Sequence, residues 1–179
     1  MSIGFPGITM AVVARITGAD QWLEVASKAA RTILASSPTP RPAMAARMAL
    51  GLVAAQRGDL VEANEQYATI EPLHASYPLD GYISFSVDRL LALLSVTLNR
   101  PDQAVSHFED SLNFCRTAGY RPELAWTCCD YADTLLQRNN PGDRERAMSL
   151  LDESLAISTE LGMRPLMERV LSRRDILTA

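Results

Sequence analysis

Lysine is nearly missing from this chain: Lys28 stands alone against sixteen arginines. Any chemistry that needs an ε-amine would have to rest on that one residue. Basic clusters are missing as well. The formal net charge of −4 is spread along the chain, and Arg173-Arg174 is the nearest approach to a basic patch. Nucleic-acid binding requires clustered cations that displace counterions, so no nucleic-acid partner is expected. Histidine occurs only at His74 and His107, without a third ligand or a neighbouring cysteine, which is a poor donor set for zinc. Cys115, Cys128 and Cys129 include no C-x-x-C pair. Adjacent cysteines on a helix point about 100° apart, which disfavours a shared disulfide or metal. They read instead as small buried apolar groups in a reducing cytoplasm. Neither a G-x-x-x-x-G-K-[ST] phosphate loop nor a G-x-S-x-G elbow occurs. These absences lead us to expect no catalysis, no cofactor and no metal. The apolar run Ile8–Ile16 is too short to span a bilayer and lacks a basic leader and cleavage site. No membrane partner is expected, and the location expected is cytoplasmic.

What the chain does have is an internal repeat. Ala104–Pro122 recurs as Ala147–Pro165, 43 residues later, with Ala104/Ala147, Ser106/Ser149, Ser111/Ser154, Leu112/Leu155, Gly119/Gly162, Arg121/Arg164 and Pro122/Pro165 identical. A period in this range marks stacked supersecondary units that bury their apolar faces on one another. Apolar residues make up 47% and charged residues 21%, an ordinary globular composition. Helical periodicity dominates, and no alternating β-branched stretch is long enough for a sheet. Gly and Pro punctuation predicts one helical-repeat domain over 1–179, with pairs at 8–36, 43–72, 82–118 and 122–161 and a capping helix at 165–177. Gly119 and Gly162 fall just past a helix end, and Pro122 and Pro165 open the next helix three residues on. The acidic pairs Glu109-Asp110 and Asp152-Glu153 recur with the period and read as an outer face rather than as acid–base groups.

Leu50-Gly51, Ala54, Gly58-Asp59, Ala63 and Tyr67 together resemble a tetratricopeptide repeat. Small residues in that motif let two antiparallel helices approach closely, and the aromatic fills the gap toward the next repeat. Leu91-Ala92, Ser95, Ala104 and Phe108 follow the same pattern, as do Tyr131-Ala132, Leu135, Ala147 and Leu151. The chain departs from the motif in its longer period and in Arg47, Asp88 and Thr127, which stand where an early tryptophan is usual. Residues of about 60–170, the string Pro141-Gly142-Asp143-Arg144-Glu145-Arg146-Ala147 above all, resemble the C-terminal region of bacterial multidomain regulators. Those proteins join an AAA-like or STAND ATPase module to an adenylate/guanylate cyclase or a LuxR-type domain.

The resemblance implies an all-α, tetratricopeptide-like α-solenoid, a right-handed superhelix of antiparallel helix pairs. It also implies a non-catalytic interaction or sensor scaffold of a signalling or transcriptional regulator. The partner would be a protein or peptide, including a neighbouring domain of the same parent chain, held in the concave groove. Projecting the repeat register places Met48, Leu52, Arg89, Leu93, Trp126, Cys129 and Asp133 toward that groove. Leu52, Leu93 and Cys129 read better as core between helices, since apolar helix-face residues are usually buried. Arg89, Trp126, Asp133 and Met48 are the candidate partner-binding residues, with Trp126 as the anchor, since aromatics dominate interface energetics. The alternative is homodimerisation through a C-terminal apolar stripe of Leu166, Met167, Val170, Leu171, Ile176 and Leu177.

Overall fold

The computed structural model describes residues 6–74 and 85–178. Among them are nine α-helices and no strand, so the protein is all-α. The helices are α1 (Pro6–Thr17), α2 (Gln21–Ala35), α3 (Pro40–Arg57), α4 (Leu60–Ile70), α5 (Val87–Thr97), α6 (Pro101–Ala118), α7 (Arg121–Arg138), α8 (Asp143–Glu160) and α9 (Arg164–Thr178). A 3₁₀ turn, Glu71–Leu73, follows α4. No helix among the described residues is long and apolar enough to cross a membrane. The positions 75–84, which cover most of the expected connection after α4 and the start of the expected helix from Tyr82, lie outside the described residues.

Helix ends follow from local chemistry. Gly58 ends α3 in the left-handed region at φ 67°. The Asp59 carboxylate then accepts hydrogen bonds from the Val61 and Glu62 amides, both at 3.1 Å, and so starts α4. Ser86 caps α5 by accepting from the Arg89 amide. Asp20, by contrast, makes no capping bond to α2. The prolines before Ala43 open α3 rather than merely closing α2, because the first turn of a helix needs no amide donors.

The chain divides into two compact units, Met1–Arg100 and Pro101–Ala179, where the sequence reading anticipates one domain. The boundary falls inside the anticipated pair 82–118. In the first unit α1, α2 and α3 pack on one another, and α5 packs on α3 and α4. Its core includes Met48, Leu52, Ile70, Leu90, Leu91 and Leu94. In the second unit α7 packs on α6 and α8, and α8 on α9. Its core includes Phe108, Leu112, Leu135, Leu150, Leu151 and Leu166. Each unit therefore closes an apolar interior of its own.

The repeat is present in the second unit at the level of single hydrogen bonds. After α6, the Tyr120 amide donates to Cys115 O at 2.8 Å and the Gly119 amide to Arg116 O at 3.3 Å. After α8, Met163 donates to Ser158 O at 2.8 Å and Gly162 to Thr159 O at 3.2 Å. Both corners are Schellman motifs, and their glycines sit at φ 69° and 67°. Side chains repeat too: Tyr131 OH donates to Glu109 at 2.9 Å, and its counterpart Arg174 pairs with Asp152 at 3.2 Å. Phe108 stacks on Tyr131 with ring centroids 5.1 Å apart. Such a stack contributes about 0.5–1.5 kcal/mol beyond its buried area.

The Pro141-Gly142-Asp143 string has a structural explanation. The Asp143 amide donates to Asn140 O at 3.0 Å and Gly142 has φ 84°, ψ −10°, which makes Asn140–Asp143 a type II turn. The Asp143 carboxylate reaches back to the Asn140 amide at 2.9 Å and receives both arms of Arg138, at 2.7 and 3.0 Å. Its side chain is only 6% exposed. The Arg138 hydrogen bonds, foremost, hold the Asp143 carboxyl below its usual range.

Two predictions follow from this geometry. A carboxyl whose folded pKa is depressed stabilises the fold above the ordinary aspartate value of about 3.9. That contribution is lost as pH falls through the lower folded value. Asp143→Asn should therefore lower the urea midpoint at neutral pH and leave it nearly unchanged near pH 2, on the order of the window set by linkage. Glycine substitutions should differ in sign. Gly119→Ala and Gly162→Ala put a Cβ in the left-handed region and should each cost about 1 kcal/mol. A Cβ on Gly51 would meet Leu90 and Leu94 at 3.5 Å and Gln66 at 3.6 Å, which is ordinary contact. Gly51→Ala should thus raise stability by about 0.5–1 kcal/mol in the same urea assay.

Candidate functional site

The four candidate partner-binding residues fall in different surroundings. Met48, on α3, is 0% exposed and belongs to the core of the first unit, so it cannot line a partner surface. Arg89, on α5, is 2% exposed, with its guanidinium 4.5 Å from the centroid of the Phe85 ring. It too is withdrawn from solvent rather than presented to a partner. The repeat register aims both at the concave groove, on a face that the structure instead buries. That face packs on neighbouring helices, whose positions a single-helix projection does not contain. Leu52 and Cys129 are likewise fully buried, in agreement with their reading as core, and Leu93 is buried as well.

Trp126 and Asp133, in contrast, are brought together. They lie two turns apart on α7, and both engage α9. Arg169 on α9 lies over the Trp126 ring, 5.9 Å from its centroid, a cation–π arrangement. Its Nη2 donates to Asp133 at 3.0 Å and to Asp130 at 3.2 Å. Arg173, one turn on, donates from Nε to the other oxygen of Asp133 at 2.8 Å. Two carboxylates thus face two guanidiniums across a pair of helices. Sequence reasoning missed Asp130, Arg169 and Arg173. The signal was the matched spacing, three residues between the acids and four between the bases, but it acquires meaning only once α7 and α9 are known to be neighbours.

Burial sets the electrostatics here. The Asp130 side chain is 0% exposed, that of Asp133 19%, of Arg169 25% and of Arg173 36%. A carboxylate in the position of Asp130 loses nearly all of its hydration and is tolerable only with a charged partner. Burial disfavours the charge on Arg169, yet its neighbours, Asp130 above all, hold the guanidinium protonated beyond its usual strength. The Arg169 Nε is itself buried without a hydrogen-bond partner. The cluster is therefore electrically balanced but incompletely satisfied.

Several other charged groups pair across helices. The Arg116 guanidinium on α6 pairs with Glu153 on α8, while Arg146 on α8 pairs with Glu109 on α6, a reciprocal brace between the two helices. The acidic pairs read as an outer face thus carry specific ion pairs. Arg121, in the first of the two recurring turns, pairs with Glu160. His74 Nδ1 lies 2.9 Å from Asp88 in the first unit, and His107 is buried on α6. Cys115, Cys128 and Cys129 are buried and form no disulfide. Desolvation, followed by the charge of Glu153, pushes the Cys128 thiol far above its ordinary pKa.

The apolar stripe anticipated on α9 is not presented as such. Leu166 and Val170 are fully buried, because α9 lies against α8. Met167 is half-buried and Leu171 is 45% exposed. The side chains of Ile176 and Leu177 lie outside the described ones.

No family model, curated protein or solved structure matches this chain.

All three cysteines are withdrawn from solvent, so all three should be silent to a disulfide reagent such as DTNB in the native protein. All three should titrate after unfolding in guanidinium. A fast native phase of even one thiol would contradict the burial described here.

Proposed function

We propose that the chain is a non-catalytic protein-interaction module, built of tetratricopeptide-like tandem helix pairs, that holds a protein or peptide on the α7–α9 face. In this reading it serves as the interaction or sensing part of a bacterial signalling or transcriptional regulator, acting in the cytoplasm. The recurrence of the same hydrogen-bonded corner after α6 and after α8 is the observation that carries it. A chain that repeats its corners repeats its packing, and the side chains that break the repeat then mark what is particular to one surface. Trp126, Asp133, Arg169 and Arg173 are such residues. Tryptophan and arginine are also the types that most often dominate the energetics of interfaces.

The α3–α5 packing supports the same architecture in the first unit. Tyr67, at the aromatic position of the motif, is buried, and the Arg100 guanidinium lies 5.7 Å from its ring centroid. Phe108 and Leu151, both fully buried, fill the corresponding positions in the second unit.

A displayed random-peptide library panned against the whole chain tests the reading. Selected peptides should bind Trp126→Ala at least about tenfold more weakly than the wild type, the loss typical of an interface anchor, with helicity by circular dichroism unchanged. A library that yields no binders, or binders indifferent to Trp126 and to Asp133→Ala, would overturn it.

A further inference from the structure

We propose that α9 is a latch: it docks on α7 and α8 in the resting chain, and its release uncovers Trp126 for the partner. The inference rests on the α7–α9 face being the partner site and adds how that site is controlled.

The first observation is how little apolar surface holds residues 164–175 of α9 in place. Over residues 164–175 its fully buried side chains are Leu166 and Val170 alone. Helix α7 buries Leu124, Ala125, Cys128, Cys129, Ala132 and Leu135, besides several polar groups. Segments with few buried apolar contacts are those that open locally at the lowest free energy.

The second is the sign of the polar contacts. Three arginines of α9 set their cations on anions of the body of the unit: Arg169 on Asp130 and Asp133, Arg173 on Asp133, and Arg174 on Asp152. Ion pairs of this kind return their charges to water on separation, so the Coulombic loss is largely offset by hydration. Release also gives the buried, unpartnered Nε of Arg169 access to water. Asp130 gains most, since its carboxylate is 0% exposed while α9 is docked.

The third is what lies underneath. The Arg169 guanidinium sits over Trp126, which is 9% exposed in the docked state. A partner that takes Trp126 as its anchor competes with Arg169 for the same ring, so it binds the released state better than the docked one. Differential affinity of this kind is what shifts a two-state equilibrium.

Hydrogen exchange on the full chain, resolved to peptides from α7, α8 and α9, decides the matter. In the wild type, α9 amides should exchange about tenfold or more faster than those of α7 and α8, as a sub-global opening requires. Added salt should quicken α9 selectively, because it screens the ion pairs. Arg169→Ala should raise α9 exchange further, while α7 and α8 keep their protection. In a Trp22→Phe background the same variant should increase acrylamide quenching of Trp126. Adding Asp130→Asn to Arg169→Ala should bring α9 exchange back toward the wild-type rate, because a neutral amide no longer needs the guanidinium. If α9 exchanges in step with α7 and α8 in the wild type, and Arg169→Ala moves all three together, there is no latch. That outcome is separate from failure of the partner site, which the peptide selection reads: peptides can depend on Trp126 while α9 stays docked.

Discussion

Two helices can lie antiparallel along most of their length only if the chain reverses within a few residues and still satisfies the carbonyls of the last turn. In the second unit Gly119 and Gly162 meet both demands in the same way, by taking up the left-handed region and closing a bond from the following amide to the carbonyl five residues back. The rest of the unit is placed by these corners. They set the antiparallel course of α6 and α7 and of α8 and α9, and thereby bring Phe108 onto Tyr131. They also set Tyr131 against Glu109 and Arg174 against Asp152. The corner between α7 and α8 solves the same problem with different chemistry: left-handed Asn139, a type II turn and the Arg138 fork on Asp143. The alternation of the two corner types accounts for a repeat of 43 residues that contains two helices and two unlike turns.

How much of this was legible in the sequence depended on whether the cause was local. Helix ends at Gly58, Gly119, Asn139 and Gly162 are decided by residues within one turn of the end, and they can be read directly. Pro40 was harder, because proline both ends a helix and begins one, and α3 uses it to begin. The division at Arg100/Pro101 was not legible: a short helix–proline turn between apolar helices looks the same whether or not the helices on its two sides share a core. Met48 and Arg89 show the same limit from another direction. A helical projection ranks positions around one axis, and it aims both at an open groove where the structure buries them. Whether an inward face meets solvent or another helix depends on contacts from distant parts of the chain.

The aspartates of α7 show what that limit hides. Asp130 and Asp133 are unremarkable in a linear reading, and the arginines 36–40 residues later look like the solvated face of a polar helix. Folding makes them one cluster. The balance of charge is nearly complete, but balance is not the same as stabilisation: removing four ionic groups from water costs about as much as their mutual attraction returns. What the cluster supplies instead is specificity. Only a helix bringing guanidiniums at this height can lie on α7 without stranding the Asp130 carboxylate, so the polar contacts select α9 even though they add little to its grip.

The same argument explains why α7 carries so many polar groups in its buried face. Thr127 meets Ser111 of α6 at 3.3 Å, Ala125 O accepts from Ser154 of α8 at 2.7 Å, and Asp130 takes Arg169 of α9. Each neighbour is thus identified by at least one polar contact with α7, in addition to shape. A core of leucine and alanine alone would tolerate a slide of one helix along another by a turn, since apolar contacts are non-directional. Hydrogen bonds made in a low dielectric do not tolerate it, because the displaced partner is left unsatisfied. Register in the second unit is therefore held by polar groups and cohesion by apolar ones. Over its described side chains α9 has little of the second, so it can be correctly placed and yet weakly held.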